Sequence, residues 1–174
     1  MLNLRFEVAG DVQLSRMLER VSNDLGDMRP AWDRIHQNFL QGEHGTFALE
    51  GAFGGKAKWK PLSPKYALWK ESRYPGQPIL ALKGSLRASL TQASDPDHVY
   101  EATADGVTMG TKLRTPDGRW NLGLLHQKGT RKMPARPPVE LTAQQKNEWV
   151  SIMHDWLWEE VLPWQDQLEL SAPR

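Results

Sequence analysis

The sequence predicts an α+β domain: a small, mostly antiparallel β-sheet packed with several α-helices, the last of them long. Three observations carry that reading. Apolar residues recur three and four apart in several segments, the period of a helix with one buried face. Two β-prone runs meet at Asp105-Gly106, a pair that favours tight hairpins. The chain has 174 residues, 39 % apolar and 25 % charged, which suits one domain (1–174) with a core of its own.

Leu2, Leu4, Phe6 and Val8 alternate with polar residues, as in a half-buried strand that Gly10 ends. Asp11 can cap a helix over Leu14, Met17, Leu18, Val21 and Leu25, stopped by Gly26. Pro30 opens a second helix with apolar face Trp32, Ile35, Phe39 and Leu40; Gly42 and Gly45 leave its end open. A flexible Gly/Lys-rich loop follows near 51–60. Ser63-Pro64 then starts a short helix over Tyr66, Leu68 and Trp69, with the serine as cap. Ile79–Leu90 is predicted helical, with Leu82, Leu86 and Leu90 four apart. Strands Val99–Ala104 and Val107–Thr111 form the Asp-Gly hairpin, and Asp117-Gly118 turns a longer basic loop. Asn121–Lys128 is predicted helical, and the prolines of 134–141 point to an extended segment at a sheet edge. Thr142 and Gln145 form a capping box for the last helix, which buries Trp149, Ile152, Met153, Trp156 and Leu157. Pro163 marks its end, leaving a short C-terminal tail.

The absence of cysteine excludes a disulfide scaffold and a thiolate zinc site. No apolar run approaches the roughly 20 residues needed to span a bilayer, and the first residues lack a signal peptide's basic start and apolar block. No His pair brackets a glutamate at helical zinc-hydrolase spacing, and there is neither a Lys-Ser/Thr phosphate loop nor a Gly-x-Ser-x-Gly elbow. No cofactor, metal or catalytic residue is expected; a hydrolase centred on His126 is the one enzymatic alternative.

The net charge of +1 hides strong segregation. Residues 56–87 hold eight Lys and Arg against Glu71, and residues 112–136 hold seven against Asp117. Acid predominates in the three segments around them. The basic blocks are either solvated loops or a surface for nucleic acid or an acidic protein. The candidate contacts are Lys56, Lys58, Lys60, Arg114, Arg119, Arg131 and Lys132. The first three alternate, so an extended backbone would project them to one side, toward a negatively charged surface such as DNA or the acidic segment 159–169 of an adjacent copy. Eight tryptophans are many for this length, and Trp158 falls opposite Trp149 and Trp156, as an interface residue would.

Three phrases, in order, carry a family resemblance. They are Trp59-Lys60-Pro61-Leu62-Ser63, then Ile79-Leu80 followed by Gly84, Leu86 and Ser89, then His126-Gln127 with Gly129 and Pro134-Ala135-Arg136-Pro137. The succession resembles the virion morphogenesis or tail-completion proteins of tailed bacteriophages, best known from Mu-like phages. Family members usually have an aromatic where Pro138 stands, and the Lys112–Trp120 loop is longer than usual. The resemblance implies a non-enzymatic virion component of the neck or tail end, made in the host bacterial cytoplasm. It also implies a homo-oligomeric ring around the DNA channel, a hexamer being one form. Its partners would be neighbouring neck, connector or tail proteins, with non-specific contact to packaged DNA and no membrane. The runner-up is a small nucleic-acid-binding module using the two basic segments.

Overall fold

The computed structural model describes residues 26–170, with side chains as far as Glu159. The strand expected at 2–8 and the helix expected over 11–25 lie outside the described residues. The order is α1 (Arg29–Ala48), a 3-10 turn (Phe53–Gly55), α2 (Pro64–Arg73), α3 (Ser85–Thr91), β1 (His98–Ala102), β2 (Val107–Thr111), α4 (Leu122–Lys128) and α5 (Ala143–Leu170). This is the α+β class that the sequence predicts.

α1 packs against α5 on one side and α3 on another, and α3 in turn lies on the hairpin. Pro30 sits in the first turn of α1, where its missing N–H is no loss. Ile35, Phe39, Leu40 and Phe47 are buried in α1. The helix runs through both glycines because other elements occupy the space a side chain would need. A Cβ on Gly42 would stand 1.8 Å from Gln145 Nε2, and one on Gly45 would stand 2.3 Å from the Phe53 ring. Phe39, Leu40, Phe47, Trp59, Leu86 and Leu90 form the core, with Ile79, Leu80, Met109, Leu113, Leu122, Val139 and Trp149 packed against it.

The capping box of α5 forms in both directions: Gln145 N–H donates to Thr142 Oγ1 and Thr142 N–H to Gln145 Oε1, each at 3.0 Å. Trp156 is fully buried, whereas Trp149, Ile152 and Met153 are half-buried and Leu157, expected inside, is 39 % exposed. α5 does not end at Pro163 but continues to Leu170. An interior proline removes one backbone donor and strains the preceding turn, and here the helix continues across it.

Three other expectations change. The helix expected over Ile79–Leu90 begins only at Ser85. Leu80 and Gly84 take left-handed φ of 62° and 83°, and the N–H of Ile79 is held by Glu50 Oε1 at 3.0 Å, so residues 79–84 turn instead. Ser63 stands at the N-cap of α2 but its hydroxyl makes no capping bond. The hairpin is antiparallel with His98 opposite Thr111 and Ala102 opposite Val107, leaving a four-residue connection rather than a two-residue turn. Asp105 and Gly106 have no positive φ. Thr103 closes the turn locally, its N–H to Gly106 O at 2.8 Å and its hydroxyl to Asp105 Oδ1 at 2.9 Å.

A polar seam joins α1 to the hairpin. His98 Nδ1 lies 2.8 Å from Ser89 O, and the two Nε2 atoms of His36 and His98 are 2.8 Å apart. A carbonyl only accepts, so His98 carries its proton on Nδ1, and its Nε2 accepts from His36 Nε2–H when both rings are neutral. Burial first, and the neighbouring His98 second, hold the His36 pKa below its usual value.

Candidate functional site

The first and third sequence phrases converge on one wall. Arg136 is the centre: its guanidinium donates to the carbonyls of Lys60 (2.6 Å) and Pro61 (2.7 Å), and its backbone N–H to that of His126 (2.9 Å). Trp59 Nε1 donates to Pro137 O at 2.9 Å, while its ring meets Phe47 edge-on. The Gln127 amide donates to Val139 O (2.9 Å) and accepts from Val139 N–H (3.3 Å). Side chains thus satisfy segment 134–141, which joins neither strand of the hairpin, in place of the sheet edge expected for it. Gly129 turns the chain at φ 71°, ψ −178°, and an added Cβ would lie 2.6 Å from the backbone N of Ala135.

The Gly/Lys-rich loop makes several contacts with the wall and the helices around it. Gly51 is buried against Trp59, Gly54 faces Thr142, and Trp59 N–H bonds Glu50 O at 2.7 Å. Beneath it lies Glu43, almost wholly buried, with Oε2 lacking a hydrogen-bond partner. Burial pushes the Glu43 carboxyl up to about 8, against a smaller opposing pull from Lys56.

Outside this wall opens a groove of about 670 Å³ between α2, the 80–86 turn, α4 and residues 132–136. Leu62, Leu80, Leu82, Leu86, Leu113 and Met133 supply apolar lining. Lys70, Lys83, Arg114, Lys132 and Arg136 supply the charge, and no acidic side chain lines it. Two of these cations serve the fold. Arg136 is clamped as described, and Lys70 is buried with Nζ on Pro78 O at 2.5 Å, its pKa lowered by that burial. Lys83, Arg114 and Lys132 are exposed at the rim.

His126 also lines the groove, its pKa lowered mainly by burial and then by the Arg136 charge, with a buried, unpartnered Nδ1. A neutral imidazole beside a guanidinium, with no acid in the lining, has no carboxylate there to orient it. No group of three His, Cys, Asp or Glu suited to a metal occurs among the described residues.

Of the seven basic contacts read from the sequence, the groove brings together Arg114 and Lys132. Arg119 lies beside Asp117 at 3.8 Å, and Arg131 is exposed outside the lining. Lys56 donates to Glu140 O at 2.6 Å, while Lys58 and Lys60 are exposed. The motif residues divide likewise. Trp59, Pro61, Gln127, Gly129, Ala135 and Arg136 build the wall; Leu62, Ser63, Gly84, Leu86, His126 and Pro134 line the groove. Sequence reasoning missed Tyr66, Lys70, Lys83 and Met133 as lining; Lys70 and Lys83 stood in the first basic block, the only signal they gave.

Fold and groove together define a small α+β domain with an open apolar groove rimmed by cations. The chain belongs to the phage virion morphogenesis family, which residues 10–158 match. It is therefore a bacteriophage protein with a structural or assembly role in the virion. No curated protein and no solved structure matches it. No helix among the described residues is long and apolar enough to cross a membrane.

Proposed function

We propose that the protein is a non-enzymatic structural component of the neck or tail end of a tailed phage. It acts in tail completion or head–tail joining, and its copies form a ring around the DNA channel. The observation that carries this reading is the division of charge between two surfaces. The groove has a cationic rim and no acid, while the α1–α5 seam carries Glu148 and Asp155 beside Asn38, with Glu159 paired to Arg34. Unlike surfaces on one chain suit head-to-tail contacts, which close into a ring when the rotation permits. A channel lining of modest positive charge also lets DNA pass without arresting it.

The test is a phage carrying a stop codon in this reading frame. Heads and tails are expected to accumulate unjoined, or tails to lack their end structure, and the gene supplied in trans should restore infectivity. A normal yield of infectious particles without the protein overturns the proposal.

One observation favours the second reading, a nucleic-acid-binding module. Trp120 is 61 % exposed in the basic 114–120 loop, next to Arg119, an arrangement suited to stacking on a base. On that reading the purified protein binds DNA with affinity that falls steeply as salt rises.

A further inference from the structure

We propose that the groove is the docking site for the acidic, apolar C-terminal segment Glu159–Leu170 of a second copy of this chain. The inference rests on the ring reading and names its contact. Two properties of the groove define its occupant. Its floor is apolar, so the occupant must supply apolar side chains; its rim is cationic without acid, so the occupant must be negative. The side chains of Lys83 and Lys132 make no hydrogen bond or ion pair among the described residues, so their charges are available.

Segment 159–170 has the complementary composition. Beyond Glu159, which pairs with Arg34 of its own α1, it carries Glu160, Asp166 and Glu169 with no base, and Val161, Trp164 and Leu168 recur at the i, i+3, i+7 spacing of one helix face. Such a helix, laid in an apolar groove with acids toward the rim, is a recurrent mode of recognition. The backbone is helical over these residues.

In its own chain the segment is continuous with α5. α5 begins at Ala143, seven residues after the wall residue Arg136, and runs unbroken to Leu170. At about 1.5 Å per residue the segment lies roughly 24–40 Å along the helix from that start. α5 packs along α1, where Glu159 pairs with Arg34, and the groove's occupant is assigned to a neighbour. The contact is then heterologous, each copy giving a segment at one end and a groove at the other.

The experiment uses the full chain in analytical ultracentrifugation, with circular dichroism and thermal melts to establish folding. The groove variant is Lys83→Glu with Lys132→Glu, both at exposed positions; the segment variant is Glu160→Lys with Glu169→Lys. Wild type is expected to self-associate, and each variant alone to associate about tenfold or more weakly. Mixed one to one, the variants should also form a pair that neither makes alone, through the one intact groove and the one intact segment. The quadruple variant, with both charges exchanged, should recover association. If wild type associates and both variants, folded, associate equally well, the docking is overturned while the ring survives. If the groove variant lowers infectivity but not self-association, a different virion protein occupies the groove and the proposal is likewise overturned. A wild type that stays monomeric, alone and on assembled tails, overturns the ring reading itself.

Discussion

Glu43 is the residue whose environment contradicts its chemistry most sharply. It is buried in α1 under the glycine loop, one carboxylate oxygen unpartnered, with its pKa raised from 4.5 to about 8. A raised carboxyl pKa means that the folded state holds a proton which the unfolded chain releases. Its contribution to stability is complete below about pH 4.5 and is lost as pH climbs through about 8. His36 and His126 act in the opposite sense. Their pKa values are lowered in the fold, so their contribution is present above the unfolded value and lost as pH falls. The net profile mixes the two, and a difference between variants isolates Glu43. Glu43→Gln should melt close to wild type at pH 5 and several degrees above it at pH 8. Parallel melting curves across that range would contradict the assignment. Trp59 is the second residue with a definite cost. It is buried against Phe47 and bonded to Pro137 O, so Trp59→Ala should lose about 3–5 kcal/mol in urea denaturation. An unchanged midpoint would show that the wall does not depend on it.

Gly129 decides the path from α4 into the wall. Its φ of 71° and ψ of −178° lie in a region that only glycine occupies readily, and the atoms a Cβ would meet are backbone, which cannot swing aside. Gly129→Ala should cost upward of about 1–3 kcal/mol and loosen the Arg136 clamp. Faster hydrogen exchange at the Arg136 amide is the expected readout, and wild-type protection there would contradict it. Sequence signals were strongest for elements built from local chemistry. The Thr142–Gln145 box, the short helix expected over Asn121–Lys128 and the proline start of α1 all stand where the residues put them, to within a residue. They failed where a distant group took over. Glu50 holds Ile79 and the chain turns at Leu80 and Gly84. Thr103 closes the hairpin ahead of Asp105-Gly106, and α5 persists through Pro163. The two glycines of α1 made its end uncertain in sequence because the partners that fill their space, Gln145 and Phe53, lie elsewhere in the chain.

Across the whole molecule the charge blocks were legible and the groove was not. A count along the chain finds the basic residues 56–87 and 112–136, but not that Lys70 and Arg136 turn inward to hold carbonyls. Nor does it find that Lys83, Arg114 and Lys132 meet at one rim, because that depends on the folding together of α2, α4 and two turns. The family phrases were visible as spacing; that the first and third build one wall, held by Arg136, Gln127 and Trp59, emerges from the fold. The central claim is that this chain works by assembling with copies of itself. Native mass spectrometry of the purified full chain, at low micromolar concentration and about 150 mM ammonium acetate, tests it most directly. A discrete closed multimer of fixed copy number, dissociating as salt screens its charged contacts, is the predicted result. A monomer that instead retains duplex DNA under the same conditions would contradict the account.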